Sequence, residues 1–541
     1  MLFRSGAYLT QPDLAQAIPL AEQNVASLSR EPRIAAGFDW QDVRQQARSE
    51  ILSAATEYTR RILGHATAPL PVDPLIIATG HQPELFHLGV WVKHLAVGLL
   101  AREQRVVGLN LIVDNDLLSS TRLRVPGGTR VQPSFEMLEF DAARPAQPWE
   151  EAAVRDRSLF ESFGERATAA MHHWGVSPLV REFWPRVVEQ LAVTDNMAEC
   201  FTAARVRQEH DWSLGNLELP MSRVCETVAF RRFATHLLMN AERLREVYNQ
   251  TVGEYRRIHR IRSSAHPVPA LQTIAGWCEV PLWLWRRGDH SRSRVFVRQE
   301  GSRLLMSTRP ESGGCLATLP VGANDDSVQA IEALRVLSEQ GVRLRTRALT
   351  TTLFARLFLS DLFVHGIGGA KYDEITDRLI ARFFGLQPPK FLTLSATAWL
   401  PFAEPYSTNI DDARRLRLLI RDTQQNAQRH VGEASESIRL LITQKQTLIA
   451  EQRVEQQAAA RRLSGDYSRD RSQLGYQRFR QLRDINLQLA TATEPERLRL
   501  SRELVEVEQQ IAANRILKSR EFAACLYPPE RIHRMLAELL M

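Results

Sequence analysis

The chain has 541 residues, 44% of them hydrophobic and 24% charged. That is too long for one ordinary core and too apolar for a disordered chain. The formal net charge is +7, but the basic residues are interleaved with acidic ones and form no dense block. A nucleic-acid-binding role is therefore disfavoured. The five cysteines are scattered without a C-x-x-C pair or zinc spacing, as expected of reduced thiols in a cytoplasmic protein. No apolar h-region opens the chain. The most apolar later stretch, residues 349–364, is broken by Arg356 and Asp361 and is too short to span a bilayer. No membrane partner is expected.

In chain order, residues 12–64 read as helix, with Phe38-Asp39-Trp40 leading into a long Gln/Arg/Ala pattern that stops at Gly64. Residues 69–74 are a proline-rich lead-in to a buried strand at 75–78. Next come the turn Thr79-Gly80-His81-Gln82, a helix over 84–102 and a second buried strand over 106–113. Strand, helix and strand at this spacing make a βαβ unit and predict a parallel sheet. The second strand ends in Asp114-Asn115-Asp116, and ligands of open α/β sheets bind at the carboxyl ends of strands. Residues 149–260 are mostly helical, 279–307 alternate like the strands of a small β insertion, and 328–400 return to helix and strand.

The expected fold is α/β: a Rossmann-like parallel sheet core over 1–402, with about 140–330 largely inserted helical and β segments. Residues 403–525 are rich in Arg, Gln, Glu, Leu and Ala. Leu500, Leu504, Val507 and Ile511 form an apolar seam, with a weaker one at Ile438, Ile442 and Ile449. Thr493-Glu494-Pro495-Glu496 has the form of a capping box at a helix start. An antiparallel coiled coil that forms a homodimer is expected, with residues 526–541 packing back on the core.

Chemistry concentrates at two glycine turns. A strand entering a helix through Gly80 would aim backbone N–H groups at an anion, with Thr79, His81, Gln82 and Lys93 around it. His87-Leu88-Gly89 is similar to the first three positions of the H-x-G-H signature of nucleotidylyl transferases, with Val90 in place of the final His. Asp114 and Asp116, two residues apart, would share a direction and hold magnesium or a substrate amine. The second turn, around Gly368, Gly369 and Lys371, follows another apolar element. Lys93 and Lys371 are two of only five lysines in the chain.

In order and spacing these motifs resemble the bacillithiol biosynthesis cysteine-adding enzymes, a family of cysteine ligases. The family's T-G-Q-Q turn corresponds to Thr79-Gly80-His81-Gln82, and its acidic D-H-D motif to Asp114-Asn115-Asp116. Its glycine turn and F-G-L helix end correspond to residues 366–369 and Phe384-Gly385-Leu386, and its closing L-F-P motif to Leu526-Tyr527-Pro528. The resemblance implies an enzyme that joins cysteine to a small polar amine such as glucosaminyl-malate, with ATP and magnesium activating the acyl group and no tightly bound cofactor. His81, His87, Asp114 and Asp116 would be catalytic. Thr79, Gly80, Gln82, Gly89, Lys93, Asn115, Gly368, Gly369 and Lys371 would bind substrate or nucleotide. Two positions depart from the family: His81 replaces a glutamine and Asn115 a histidine. The alternatives are a nucleotidylyl transferase acting on a small phosphorylated substrate, and a non-catalytic dimeric scaffold.

Overall fold

The structure is a computed structural model describing residues 4–35, 37–312, 314–321, 327–432, 434–460 and 469–539. The chain divides into two compact units. One is Met1–Pro126 with Phe135–Phe402 and Arg520–Met541; the other is Gly127–Ser134 with Ala403–Ser519. Among the described residues no helix is long and apolar enough to cross a membrane.

The first unit opens with β1 (Ala7–Gln11), α1 (Ala17–Leu28) and α2 (Trp40–Leu63). The single helix expected over 12–64 is thus interrupted. Gly37, at φ 75°, lies beside a short strand pair, Ile34–Ala35 with Phe38–Asp39, and Asp39 then starts α2 by accepting the Asp42 N–H. Gly64, also left-handed at φ 75°, ends it. There follow β2 (Leu75–His81), α3 (Leu88–Leu100), β3 (Val106–Ile112), α4 (Val180–Glu189), α5 (Met197–Asp211), β4 (Leu217–Pro220) and α6 (Val228–Met239). A small antiparallel sheet is built from β5 (Trp277–Arg286), β6 (Ser293–Glu300), β7 (Arg303–Ser307), β8 (Ala317–Pro320) and β9 (Val342–Thr346), with β9 on the far side of β5. The unit returns to the main sheet through β10 (Leu362–His365), α7 (Ile367–Leu379) and β11 (Leu392–Thr397).

The main sheet has six strands in the order β1-β11-β10-β2-β3-β4, all parallel except β1 against β11. Strand β4 lies within the stretch read as insertion, yet it completes this sheet. The chain grows outward from β2 to β3 and β4, then restarts on the other side of β2 with β10 and β11. The order therefore reverses between β2 and β10, where an open sheet leaves a crevice at its carboxyl edge. Both faces are covered. Val107, Leu109 and Leu111 join Trp40, Ala47 and Ile51 of α2 in the main core. Gly108 points the other way, where a Cβ would meet Val97 and Ala101 of α3 or its flank at 3.0 and 3.1 Å.

Asp361 holds the reversal in place. Its buried carboxylate takes Arg44 at 2.6 Å, Arg48 at 2.9 Å and the Ile76 N–H at 2.7 Å, while its own N–H donates to the Ile76 carbonyl. The Asn24 amide donates to the carbonyls of Asp361 and Lys390. One cluster thereby ties α1 and α2 to the entrances of β2, β10 and β11.

The second unit contains α8 (Ile410–Gln425), α9 (Glu436–Ala460), α10 (Arg469–Ala492) and α11 (Glu494–Leu517). Ala413 and Leu416 pack on Leu500 and Val507, and Leu489 and Ile485 on Ala427 with Ile438 and Ile442. Arg417 pairs with Glu508, and six residues further on the Thr423 carbonyl meets Thr493, so α8 and α11 run antiparallel. The expected capping box is absent. Only one residue separates α10 from α11, and the Thr493 hydroxyl donates to the Thr423 and Ala490 carbonyls instead.

Replacing Asp361 by Ala leaves two guanidinium groups without their buried partner and is expected to cost roughly 3–5 kcal/mol. A urea melt with a midpoint close to wild type would show that the cluster is not structural.

Candidate functional site

Strand β2 does not stop at Ala78. Parallel pairing with β3 continues through Gly80 opposite Leu111 and His81 opposite Ile112, so these two are strand residues and the turn is displaced to 82–86. A Cβ at position 80 would lie 3.0 Å from the Leu111 carbonyl. The helix expected from 84 begins at Leu88. His87 is not one turn inside it either. It is the N-cap, its Nδ1 accepting the Gly89 N–H at 3.0 Å. Gly89 is required by packing, since a Cβ there would meet the Ala396 carbonyl at 2.7 Å and the His87 ring at 2.8 Å. Local structure accounts for the H-x-G pattern.

Four of the expected residues are drawn together at the carboxyl edge. Lys93, on α3, is 4% exposed and donates from Nζ to the Gly80 carbonyl at 3.1 Å. Burial pulls its ammonium down to about 8. Burial and the neighbouring Lys93 charge push the His81 imidazole well below its ordinary value, so it is neutral at pH 7. The Gln82 amide donates to Asp116 Oδ2 at 2.8 Å, and Asp116 Oδ1 takes the Leu117 N–H and Arg292 at 3.0 Å. Thr79 is nearby but structural, its hydroxyl donating to the Val364 carbonyl across to β10 at 2.8 Å.

The two carboxylates of the acidic motif do not share a direction. Strand geometry ends at Ile112 and the Asp114 N–H folds back onto the Ile112 carbonyl, so alternation no longer applies. Asp114 faces Ser222, accepting its backbone N–H at 2.8 Å and its hydroxyl. Asn115 points elsewhere again, donating to the Thr346 carbonyl at 2.9 Å. With donors on both oxygens of Asp116 and Asp114 turned away, these residues do not fit a protein-held magnesium ion. Among the described residues no group of three His, Cys, Asp or Glu is placed to hold a metal.

Gly368, Gly369 and Lys371 lie in the first turns of α7, directly after β10 and so at the reversal. A Cβ on Gly369 would meet His365 Nδ1 at 2.9 Å. Lys371, however, lines a separate cleft with residues of β1 and 388–391.

Beside His81 and Gln82 lies a small cavity of about 40 Å³ walled by Phe86, Trp91, Phe183 and Phe201. Beneath it runs a buried polar network. Arg205 bridges Glu209 at 3.1 Å and Glu218 at 2.5 Å, Asn110 donates to Glu218 at 2.7 Å, and the Trp91 indole to Glu209 at 2.6 Å. None of these residues was anticipated. The available signal was a polar residue between two leucines in a buried strand, Asn110 in β3 and Glu218 in β4. No protein-family model matches the chain, and no curated protein matches it.

Lys93 makes a stability prediction with a defined sign. A lowered lysine value means that the unfolded chain holds the proton more firmly. The penalty, about 3 kcal/mol, is full below pH 8 and disappears between about 8 and the ordinary 10.5. Lys93→Met is therefore expected to stabilise the protein at pH 7, with the gain shrinking across that window. Denaturant titrations at pH 7 and pH 10.5 showing no such difference would reject a buried ammonium.

Proposed function

We propose that the protein is a ligase-type enzyme that joins an amino acid, with cysteine as the first candidate, to a small polar amine, as in the family that its motifs resemble. The core is read as Rossmann-like and the second unit as a coiled coil through which two copies associate. The observation that carries the proposal is the buried Lys93 ammonium beneath Gly80, with no carboxylate hydrogen-bonded to it among the described residues, next to a neutral imidazole at the carboxyl edge of β2. A buried cation retained at a cost to stability is characteristic of a site that receives a negatively charged group.

In this reading Lys93 stabilises the oxyanion that develops at the acyl carbon. His81, neutral and acceptor-capable, removes the proton that the attacking amine must lose. Gln82, fixed by Asp116, presents its amide carbonyl to the incoming ammonium or amine, and Arg292 holds Asp116 in that position. The acyl group arrives activated by ATP as an acyl phosphate or adenylate, and the oxyanion collapses to the amide with loss of phosphate or AMP. The capping role of His87 withdraws the main support for a nucleotidylyl transferase.

The test is mass analysis of the protein incubated with cysteine and glucosaminyl-malate, with and without ATP and magnesium. A product of the condensed mass is expected. His81→Ala should lower turnover by roughly 10²-fold or more, and Asp116→Ala should also reduce it, both with unchanged circular dichroism. Wild-type turnover in both variants would remove this site from consideration. Sedimentation of the full chain should give twice the mass of one copy; a monomer would remove the dimer from the proposal.

A further inference from the structure

A second cavity, of about 410 Å³, lies at the carboxyl ends of β3 and β4, bordered by Ile112 and Pro220. It shares only Ile112 and Thr202 with the cavity beside His81. Four arginines and four carboxyl groups line it, but they are not evenly paired. Arg345 is engaged by Glu150 through two contacts of 2.9 Å and by Glu226 at 2.9 Å, and Arg223 lies 3.6 Å from Glu199. Arg287 and Arg343 also line the cavity and have no carboxylate partner among the described residues. Glu150 and Glu226 share Arg345, and Glu226 is also met by Arg231 at 3.5 Å from outside the cavity, so the guanidinium groups left without a carboxylate are those of Arg287 and Arg343.

The inner wall is polar but not charged in the same sense. Tyr58 is 2% exposed, its ring held near Arg61 and Arg223 at 5.5 and 4.8 Å, and its hydroxyl has no hydrogen-bond partner among the described residues. Lining the cavity, the hydroxyl is available as donor or acceptor to a group that enters it. Asp114, 5% exposed, already accepts two hydrogen bonds from Ser222. Burial and the Glu150 charge push it up to about 7, so near neutrality its carboxyl group can donate as well as accept. The exposed Arg287 and half-buried Arg343 are at the mouth; the buried Tyr58 and Asp114 are inside.

We propose that this cavity binds a small hydroxylated anion, a sugar or polyol body with one carboxylate or phosphate group. Arg287 and Arg343 hold the anionic group, and Tyr58 and Asp114 meet hydroxyls deeper in. The volume falls within the range of small-molecule sites. The inference is independent of the ligase proposal, because it uses neither His81 nor Lys93.

Isothermal titration of the full chain with gluconate and with glucose 6-phosphate tests it, with glucose and inorganic phosphate as controls. At least one charged sugar is expected to bind about tenfold tighter than either control, which lack one half of the recognised chemistry. Gluconate alone would identify a carboxylate ligand, and glucose 6-phosphate alone a phosphate. The double variant Arg287→Met/Arg343→Met should weaken binding by about tenfold or more, and Tyr58→Phe by about threefold to tenfold. Thermal melts confirm that each variant is folded. His81→Ala should leave the affinity unchanged, which separates this site from the first. Failure of both charged sugars to bind at millimolar concentration would overturn the proposal. So would inorganic phosphate binding equally well, or full affinity in the double variant.

Discussion

Everything at the carboxyl edge depends on a cluster at the opposite end of the strands. A sheet whose chain order reverses between β2 and β10 needs something to bring those two strands together, because no short connection joins them. Asp361 does this by accepting Arg44, Arg48 and the Ile76 N–H at one point. Removing a carboxylate from water is unfavourable, and it is tolerated because two guanidinium groups and a backbone donor surround it. With the strand entrances fixed, parallel register carries Thr79 to Val364 and Gly80 to Leu111 at the other end. The geometry of the site is thus set at the far end of the same strands.

The carboxyl edge shows the opposite economy. Lys93 lies among His81, His87 and His94 and, among the described residues, has only a carbonyl as its hydrogen-bond partner. Stability alone would favour an apolar side chain there. By contrast, Arg205 nearby is fully matched by Glu209 and Glu218. Two buried cations on one side of the sheet therefore play different parts. One is a compensated element of the core, and the other keeps unsatisfied positive charge close to the crevice. The same contrast separates Arg345 from Arg287 and Arg343 in the second cavity.

Much of the fold was legible because hydrophobic periodicity reports burial. The continuous apolar runs before Gly80 and over 106–112 marked two inner strands, and Pro69 to Pro74 marked the approach to the first. The alternation over 279–307 marked the small sheet. Boundaries were read less well where a competing interaction decided them. Pairing with Ile112 drew His81 into β2, and the contact of His87 with the Gly89 N–H delayed α3 to Leu88. Strand β4 was missed because four residues, one of them Glu218, give no run long enough to stand out. In the site, the proximity of Lys93, His81, Gln82 and Asp116 followed from the βαβ unit. The divergence of Asp114 from Asp116 did not, since a turn after a strand end breaks the two-residue period.

The sequence by itself determined that this chain builds a mixed α/β core, where its first βαβ unit lies, and which residues cluster after its first inner strand. Those properties depend on neighbours close in the chain, which composition and spacing record. Only the tertiary structure decided which carboxylate joins His81 and Lys93, and that Glu209 and Glu218 neutralise Arg205. It alone shows that Tyr58, Asp114, Arg287 and Arg343 border one cavity. These pairings join residues tens to hundreds of positions apart, and local pattern carries no information about which distant charge will meet which.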